Sequence, residues 1–318
     1  MPKKIILDCD PGVDDAMAIA YAVGSPEIDL VGITTVAGNV SLAKTTANAI
    51  RVCEFVRADE IPVTAGSATA LLRPALTAEL VHGEDGLLSA RLPPPVAAPR
   101  PGHAVDFIID TVLAAPGEIT LVAVGPLTNI ALALRREPAL AASVANFVIM
   151  GGSSSRGNVT PAAEFNIAVD PEAAAIVFGA GWRVTMVGLD VTLQARATAD
   201  VRARIAGLGW LAEDLLLPCL RSYADGDDVV TLPGPDAESG DPAVHDVCAV
   251  AYAAYPGLLG CQHARVEIET AGRWTAGMTV TDFRAPAEEC NALVATTVDT
   301  VAFWDSALEA YARVAARR

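Results

Sequence analysis

Short runs of apolar, β-branched residues alternate along the first two-thirds of the chain with stretches whose apolar positions recur at helical spacing. Lys4–Leu7 is apolar and bounded by a turn, and Asp29–Val36, Glu118–Val124, Asn146–Met150 and Arg183–Leu189 repeat that nearly uninterrupted character. Helical spacing fills Asp14–Val23, Leu42–Val56, Leu127–Arg136 and Pro171–Gly179 between them. Strands that are apolar on both faces must be covered on both faces. The pattern therefore predicts an α/β fold: an open, mostly parallel sheet with helices on either side. Such sheets bind ligands at the carboxyl ends of their strands.

After about residue 195 the pattern changes to helices, a polar segment, and a further helix from Asp246. Arg265–Glu269 and Met278–Phe283 read as a hairpin, Ala292–Val298 as a last strand, and the chain closes with a helix from Thr300. The Pro-rich stretch Pro93–Pro101 reads as an ordered surface loop rather than a linker. With no internal repeat, residues 1–318 are expected to form a single domain with a modified C-terminal third.

Composition narrows the choice of partners. Lys and Arg number 22 against 38 Asp and Glu, a net charge of −16, while 52% of residues are hydrophobic. That excludes a disordered chain and argues against nucleic acid, which needs a basic face, and against an anionic membrane surface. No stretch has the length and apolarity of a membrane span, and Asp8 follows the first lysines too closely for a signal core. Six cysteines lie scattered without close spacing and read as reduced, mostly buried thiols of a cytoplasmic protein.

The densest chemistry is in Asp8-Cys9-Asp10-Pro11-Gly12-Val13-Asp14-Asp15, where four carboxylates fall within eight residues at a strand end and helix start. Asp8 and Asp10 share a side if extended, and Pro11-Gly12 turns Asp14 and Asp15 back towards them. One such Asp would simply cap the helix. Four together exceed what a helix dipole offsets, so either some are protonated or a cation sits among them. Oxygen-only donors favour calcium or magnesium over zinc.

The run DCDPGVDDA resembles the N-terminal signature of the inosine-uridine preferring nucleoside hydrolases, calcium-dependent enzymes that split ribonucleosides into base and ribose. Further segments are similar to that family's motifs in the same order. They are Gly32–Val40, His82–Leu87, Val124–Asn129, Met150–Gly152 with Asn158, Glu164–Pro171, and Val244–Asp246. The resemblance implies a Rossmann-like nucleoside hydrolase fold. It also implies Ca²⁺ held by Asp10, Asp15, Asp246 and the carbonyl of Val124, completed by the ribose 2′- and 3′-hydroxyls and a water. Asp10 is then the proton acceptor for that water, Asn39 its orienting residue, and His245 the acid for the leaving base. Asp14, Asn158, Glu164 and Asn166 are implied to bind ribose, with Glu164 and Asn166 on one side if extended, and His82 to line the base pocket. Asp8 is expected to fix the turn without being catalytic. Asp170-Pro171 reads as an N-cap followed by proline at the first helical position.

Helix-dipole and Asp246 effects on His245 oppose each other, leaving its protonation open. The segment Arg221–Asp241 departs from relatives that carry base-closing aromatics there. Its Gly, Pro and Asp content and single aromatic, Tyr223, predict a mobile flap and leave base preference open, nonspecific or pyrimidine-leaning. Relatives are dimers or tetramers, which implies a homodimer or homotetramer here. Two rivals are weighed against this reading. A haloacid-dehalogenase-type phosphatase would use Asp8 as nucleophile and Asp10 as acid/base, but gives Asp14-Asp15 and His245-Asp246 no role. A nucleoside or ribose binder without catalysis would bind nucleoside and release no sugar.

Overall fold

Alternate residues of the first strand feed two separate cores. In the computed structural model, which describes residues 1–88, 90–225 and 241–318, Ile5, Leu7 and Cys9 pack into one core and Ile6 into the other. The fourth and fifth strands divide likewise, Val122 and Val148 to the first core, Leu121, Phe147 and Ile149 to the second. This is the two-sided burial that the continuous apolar runs require.

Among the described residues nine strands form one sheet: β1 (Lys3–Cys9), β2 (Ile28–Thr35), β3 (Val63–Ala65), β4 (Ile119–Ala123), β5 (Asn146–Met150), β6 (Val184–Val187), β7 (Leu259–Ile268), β8 (Thr279–Asp282) and β9 (Ala292–Val298). Their order is β3-β2-β1-β4-β5-β6-β9-β7-β8. The pairs from β3 to β9 are parallel, and β7 runs antiparallel to both β9 and β8. Helices Val13–Gly24, Asp246–Ala254 and Thr300–Ala315 cover one face, with Ala104–Ala114, Thr128–Arg136 and Pro171–Phe178 on the other. Strands are added outward from β1 through β2 to β3, and the order then reverses to β4. The carboxyl ends of β1 and β4 thus flank a topological switch point, where an open sheet leaves a crevice.

The expected elements are present, with three differences. β6 stops at Val187 rather than Leu189, because Gly188 caps the turn Leu189–Thr192 that leaves the sheet. The three-residue β3 is too short to show a period. A helix at Ala104–Ala114, outside the expected set, follows the Pro-rich loop, its first turn capped by His103, whose Nδ1 accepts from Val105 N–H at 3.2 Å. The Pro-rich loop is pinned as an ordered one: Arg51 donates to the carbonyls of Leu92 and Pro93, and Glu54 accepts from Val96 and Ala97. All six cysteines are free, and no described helix is long and apolar enough to cross a membrane.

Candidate active site

Asp10 leaves the end of β1 into a pocket of backbone. Its Oδ2 accepts the Asn39 N–H at 2.6 Å, while Oδ1 is buried with no hydrogen-bond partner. Gly38 and Gly125 press against this carboxylate: a Cβ on Gly38 would clash with Oδ2, and one on Gly125 would lie 2.6 Å from Oδ1. Asn39 adds a second tie, its Nδ2 donating to the Asp10 carbonyl and to Asp15 Oδ2, both at 3.1 Å. Its visible work is to orient Asp10 and Asp15, through both its backbone and its amide.

Asp15 is the carboxylate that caps its own helix. Three residues past the N-cap Gly12, it accepts Gly12 N–H at 2.9 Å and Asp10 N–H at 3.0 Å. Asp14 reaches across the fold instead. Its Oδ2 accepts the backbone N–H groups of His245 at 2.7 Å and Asp246 at 3.0 Å, capping the helix Asp246–Ala254, while its Oδ1 is buried without a partner. Residues from opposite ends of the sequence are thereby gathered at one point.

These groups repel. Burial, against opposing backbone hydrogen bonds, pushes Asp14 and Asp15 up to about 6. Burial and then the Asp15 charge push Asp10 and Asp246 well above the usual carboxylate range. Among the described residues, no three His, Cys, Asp or Glu side chains are already gathered as a metal-ligating group. Several of these oxygens face backbone N–H groups. Even so, the donor chemistry fits a hard cation: the donors are oxygens, Asp10 Oδ1 is buried with no hydrogen-bond partner, and burial and mutual charge hold Asp10 and Asp246 well above the usual carboxylate range.

Asp8 does not fix the Pro-Gly turn. Its Oδ1 accepts from Thr34 Oγ1 at 2.5 Å and Asn129 Nδ2 at 2.8 Å, which ties β1 to β2 and to the start of the Thr128–Arg136 helix. Asn129 also donates to the Thr35 carbonyl at 3.0 Å and accepts Ser67 N–H at 2.9 Å. Burial pushes Asp8 up to about 7.

The expected sugar-binding residues are also braced by backbone. Glu164 and Asn166 are not extended neighbours: Glu164 is the N-cap of the helix Phe165–Val169 and Asn166 lies in its first turn. Glu164 Oε1 accepts Asn166 N–H, and Oε2 accepts those of Gly152 at 2.8 Å and Ile167 at 3.2 Å. Burial pushes Glu164 up to about 7. Asn166 Nδ2 donates to the carbonyls of Val124 at 2.9 Å and Met150 at 3.0 Å, so the implied carbonyl ligand already has an amide on it. Asn158 Oδ1 accepts Phe165 N–H at 2.9 Å, holding the loop to that same helix. Asp170 caps Pro171–Phe178 with proline in its first turn, as the sequence implies.

Two histidines lie beside the carboxylates. His82 Nδ1 accepts Val13 N–H at 3.2 Å, at the start of the first helix. His245, at the N-cap of Asp246–Ala254, has its Nδ1 2.8 Å from Thr192 Oγ1. Burial lowers both to about 4, helped by Arg196 at His245 and by His245 at His82. Thr34 and Asn129 lie inside the motif segments Gly32–Val40 and Val124–Asn129 but carry no role in the sequence reading, and Thr192 lies in none of those segments. Residues 226–240, most of the expected flap, lie outside the described residues; the helix Leu217–Asp225 leads into them. A cavity of about 690 Å³ under the amino ends of β1, β2 and β4, lined by Lys4, Ile28, Ile61 and Ile119, lies at the other end of the sheet from these groups.

The chain is similar to known proteins along its whole length. The sequence profile of the inosine-uridine preferring nucleoside hydrolases matches residues 5–305. The inosine-uridine preferring nucleoside hydrolase of Crithidia fasciculata is 44% identical over 317 residues, covering 99% of each chain. The non-specific ribonucleoside hydrolase RihC of Salmonella newport is 44% identical over 311 residues, covering 97% of this chain and 98% of that one. Among solved structures, the purine-preferring ribonucleoside hydrolase from Gardnerella vaginalis superposes with a TM-score of 0.90 at 32% identity, covering 99% of this chain and 100% of that one.

Proposed function

The chain belongs to the inosine-uridine preferring nucleoside hydrolase family and is an enzyme that hydrolyses ribonucleosides, and we propose that it does so with Ca²⁺ held by Asp10, Asp15, Asp246 and the carbonyl of Val124. The observation that carries this reading is that Asp14 holds the backbone of the Asp246 segment against the Asp10 and Asp15 charges, while Asp10 and Asp14 each keep one unpartnered buried oxygen. When bound, the cation supplies a hold on the ribose 2′- and 3′-hydroxyls and makes a water easier to deprotonate.

The chain's own groups do the rest. Water adds to C1′ of the ribose as the bond from C1′ to the base nitrogen breaks, through a transition state resembling a ribosyl cation. Asp10 Oδ1 takes a proton from the water, its other oxygen being held by Asn39. Asp14 Oδ1 accepts from a ribose hydroxyl, and Asn158, Glu164 and Asn166 shape the sugar subsite through the loop they brace. His245 donates to the departing base, and His82 lines the base pocket. The carboxylates that surround C1′ also favour the positive charge developing there. Membership of the family leaves no place for the phosphatase reading, and the binder reading gives no account of the unpartnered Asp10 oxygen.

We further assign a broad substrate range, nonspecific or pyrimidine-leaning, a single catalytic domain over 1–318, a cytoplasmic location in keeping with six free thiols, and a homodimer or homotetramer. Exposed Trp274, Val280 and Phe283 beside the edge strand β8 support the last. A panel of inosine, adenosine, guanosine, uridine, cytidine and their 2′-deoxy analogues, with and without chelator, tests the reading. Cleavage of the ribosides alone, lost on chelation and restored by Ca²⁺, is expected. Equal turnover of deoxy compounds, or turnover that persists in chelator, would refute it.

A further inference from the structure

Thr192 is fully buried at the end of the short turn Leu189–Thr192, immediately after β6, and its Oγ1 lies 2.8 Å from Nδ1 of His245. The two residues are 53 positions apart, on separate elements. Nothing in the sequence marks this threonine, which lies between Val191 and Leu193. We propose that Thr192 is a positioning residue for hydrolysis: its hydroxyl fixes the plane and aim of the His245 imidazole, so that the opposite edge of the ring faces the leaving base.

The chemistry of a hydroxyl suits this task. It is donor and acceptor at once, so it can hold Nδ1 whether that nitrogen carries a hydrogen or a lone pair. A carboxylate in its place would hold only the N–H form and would bind the ring as an ion pair. A hydroxyl therefore holds the ring in one orientation with either tautomer of the imidazole.

The position of Thr192 is itself fixed from several sides. Its backbone N–H donates to Gly188 O at 3.1 Å, and Leu189 N–H donates to the Gly152 carbonyl at 2.9 Å. Asp190, two residues earlier on the same turn, accepts from the backbone and hydroxyl of Ser154 and from the hydroxyl of Ser155. One turn thus braces both the loop that leads to Asn158 and the ring that faces the base. A small misalignment of such a donor costs rate without costing affinity, because alignment matters at the transition state.

This inference rests on His245 acting towards the leaving base, and the test separates the two. T192V keeps shape and removes the hydroxyl; T192A does so with a smaller side chain; T192S keeps the hydroxyl. H245A is measured beside them, with inosine and an activated nitrophenyl riboside as substrates, and thermal melting reports folding of each. The expected result is an about tenfold or greater fall in inosine kcat for T192V and T192A. KM, and kcat for the nitrophenyl riboside, stay within about twofold, since that leaving group needs no protonation. T192S recovers most of the inosine rate. Equal losses on both substrates, or none on either, would overturn the proposal while H245A keeps its leaving-group selectivity. If H245A itself lacks that selectivity, the acid reading of His245 falls and the positioning role with it.

Discussion

Asp14, at the start of the first helix, accepts the backbone N–H of Asp246 at 3.0 Å, so one carboxylate caps a helix that begins 232 residues later. Two effects compete at Asp14. Its oxygen satisfies two N–H groups that have no helical acceptor, and its charge is buried beside Asp15 and Asp246.

Asn at position 14 keeps the accepting oxygen and removes the charge. Metal-free D14N is therefore expected to be more stable than wild type in urea at pH 7.5. D14A, which uncaps the helix, should fall about 2 kcal/mol below D14N. A D14N midpoint below wild type in chelator would show that repulsion is not the larger effect. Both variants should lose most of their activity, because the oxygen assigned to ribose is changed or gone.

The acidic cluster also sets the sign of a pH dependence. Burial raises Asp14 and Asp15 to about 6, Asp8 and Glu164 to about 7, while the unfolded chain titrates near the ordinary values of 3.8 for Asp and 4.5 for Glu. Between those ranges the folded, metal-free protein binds more protons than the unfolded chain, so its stability falls as pH rises from about 4 to about 7. Saturating Ca²⁺ should flatten that fall, since a ligand of the folded state alone stabilises it. Urea midpoints at pH 5 and pH 7.5, in chelator and in Ca²⁺, check both statements; a metal-free midpoint that rises with pH contradicts the first.

Asn129 joins three segments through Asp8, Thr35 and Ser67. N129L strands a buried carbonyl and a buried N–H and removes one donor from Asp8, which should destabilise by about 3 kcal/mol or more. T34V removes a single donor and should cost about half as much or less. N129D sets a second carboxylate against Asp8, so its deficit relative to wild type should grow between pH 5.5 and pH 8. Denaturant unfolding at the two pH values measures this, and a pH-independent deficit would contradict it.

Gly38 and Gly125 admit the Asp10 carboxylate by close approach, without an unusual backbone conformation. G38A and G125A should displace Asp10 and reduce kcat/KM about tenfold or more. G257A, where an added Cβ meets nothing within 4 Å, should leave both activity and Tm near wild type. Steady-state rates with inosine and uridine make the comparison; parity of G38A with G257A would mean that Asp10 can move freely.

The strands were legible because burial on both faces leaves an unbroken apolar signature, and the acidic turn was legible because four carboxylates in eight residues have few other uses. What each carboxylate does was less visible. Asp14 and Asp15 are adjacent and chemically identical, yet one caps its own helix and the other a distant one. That division depends on where the Asp246 segment arrives, which no local pattern encodes. Glu164 and Asn166 illustrate the same limit: a two-residue spacing suggests a shared strand face, whereas the cap at Glu164 puts them on a helix start. For Thr192 and Asn129 only the packed structure supplies the partners, which lie on distant elements.

The separation of Asp14 from Asp246 also bears on how the protein is made. On the ribosome the chain presents its acidic turn first and its complementary segment only after more than two hundred further residues, when β1 to β6 are already synthesised. Until Val244–Asp246 emerges, Asp14 lacks the two backbone N–H groups it holds in the folded protein, and contacts of such long range form late and slowly. The nascent enzyme therefore passes most of its synthesis unable to capture a cation or a nucleoside, and gains both abilities together near the end of translation.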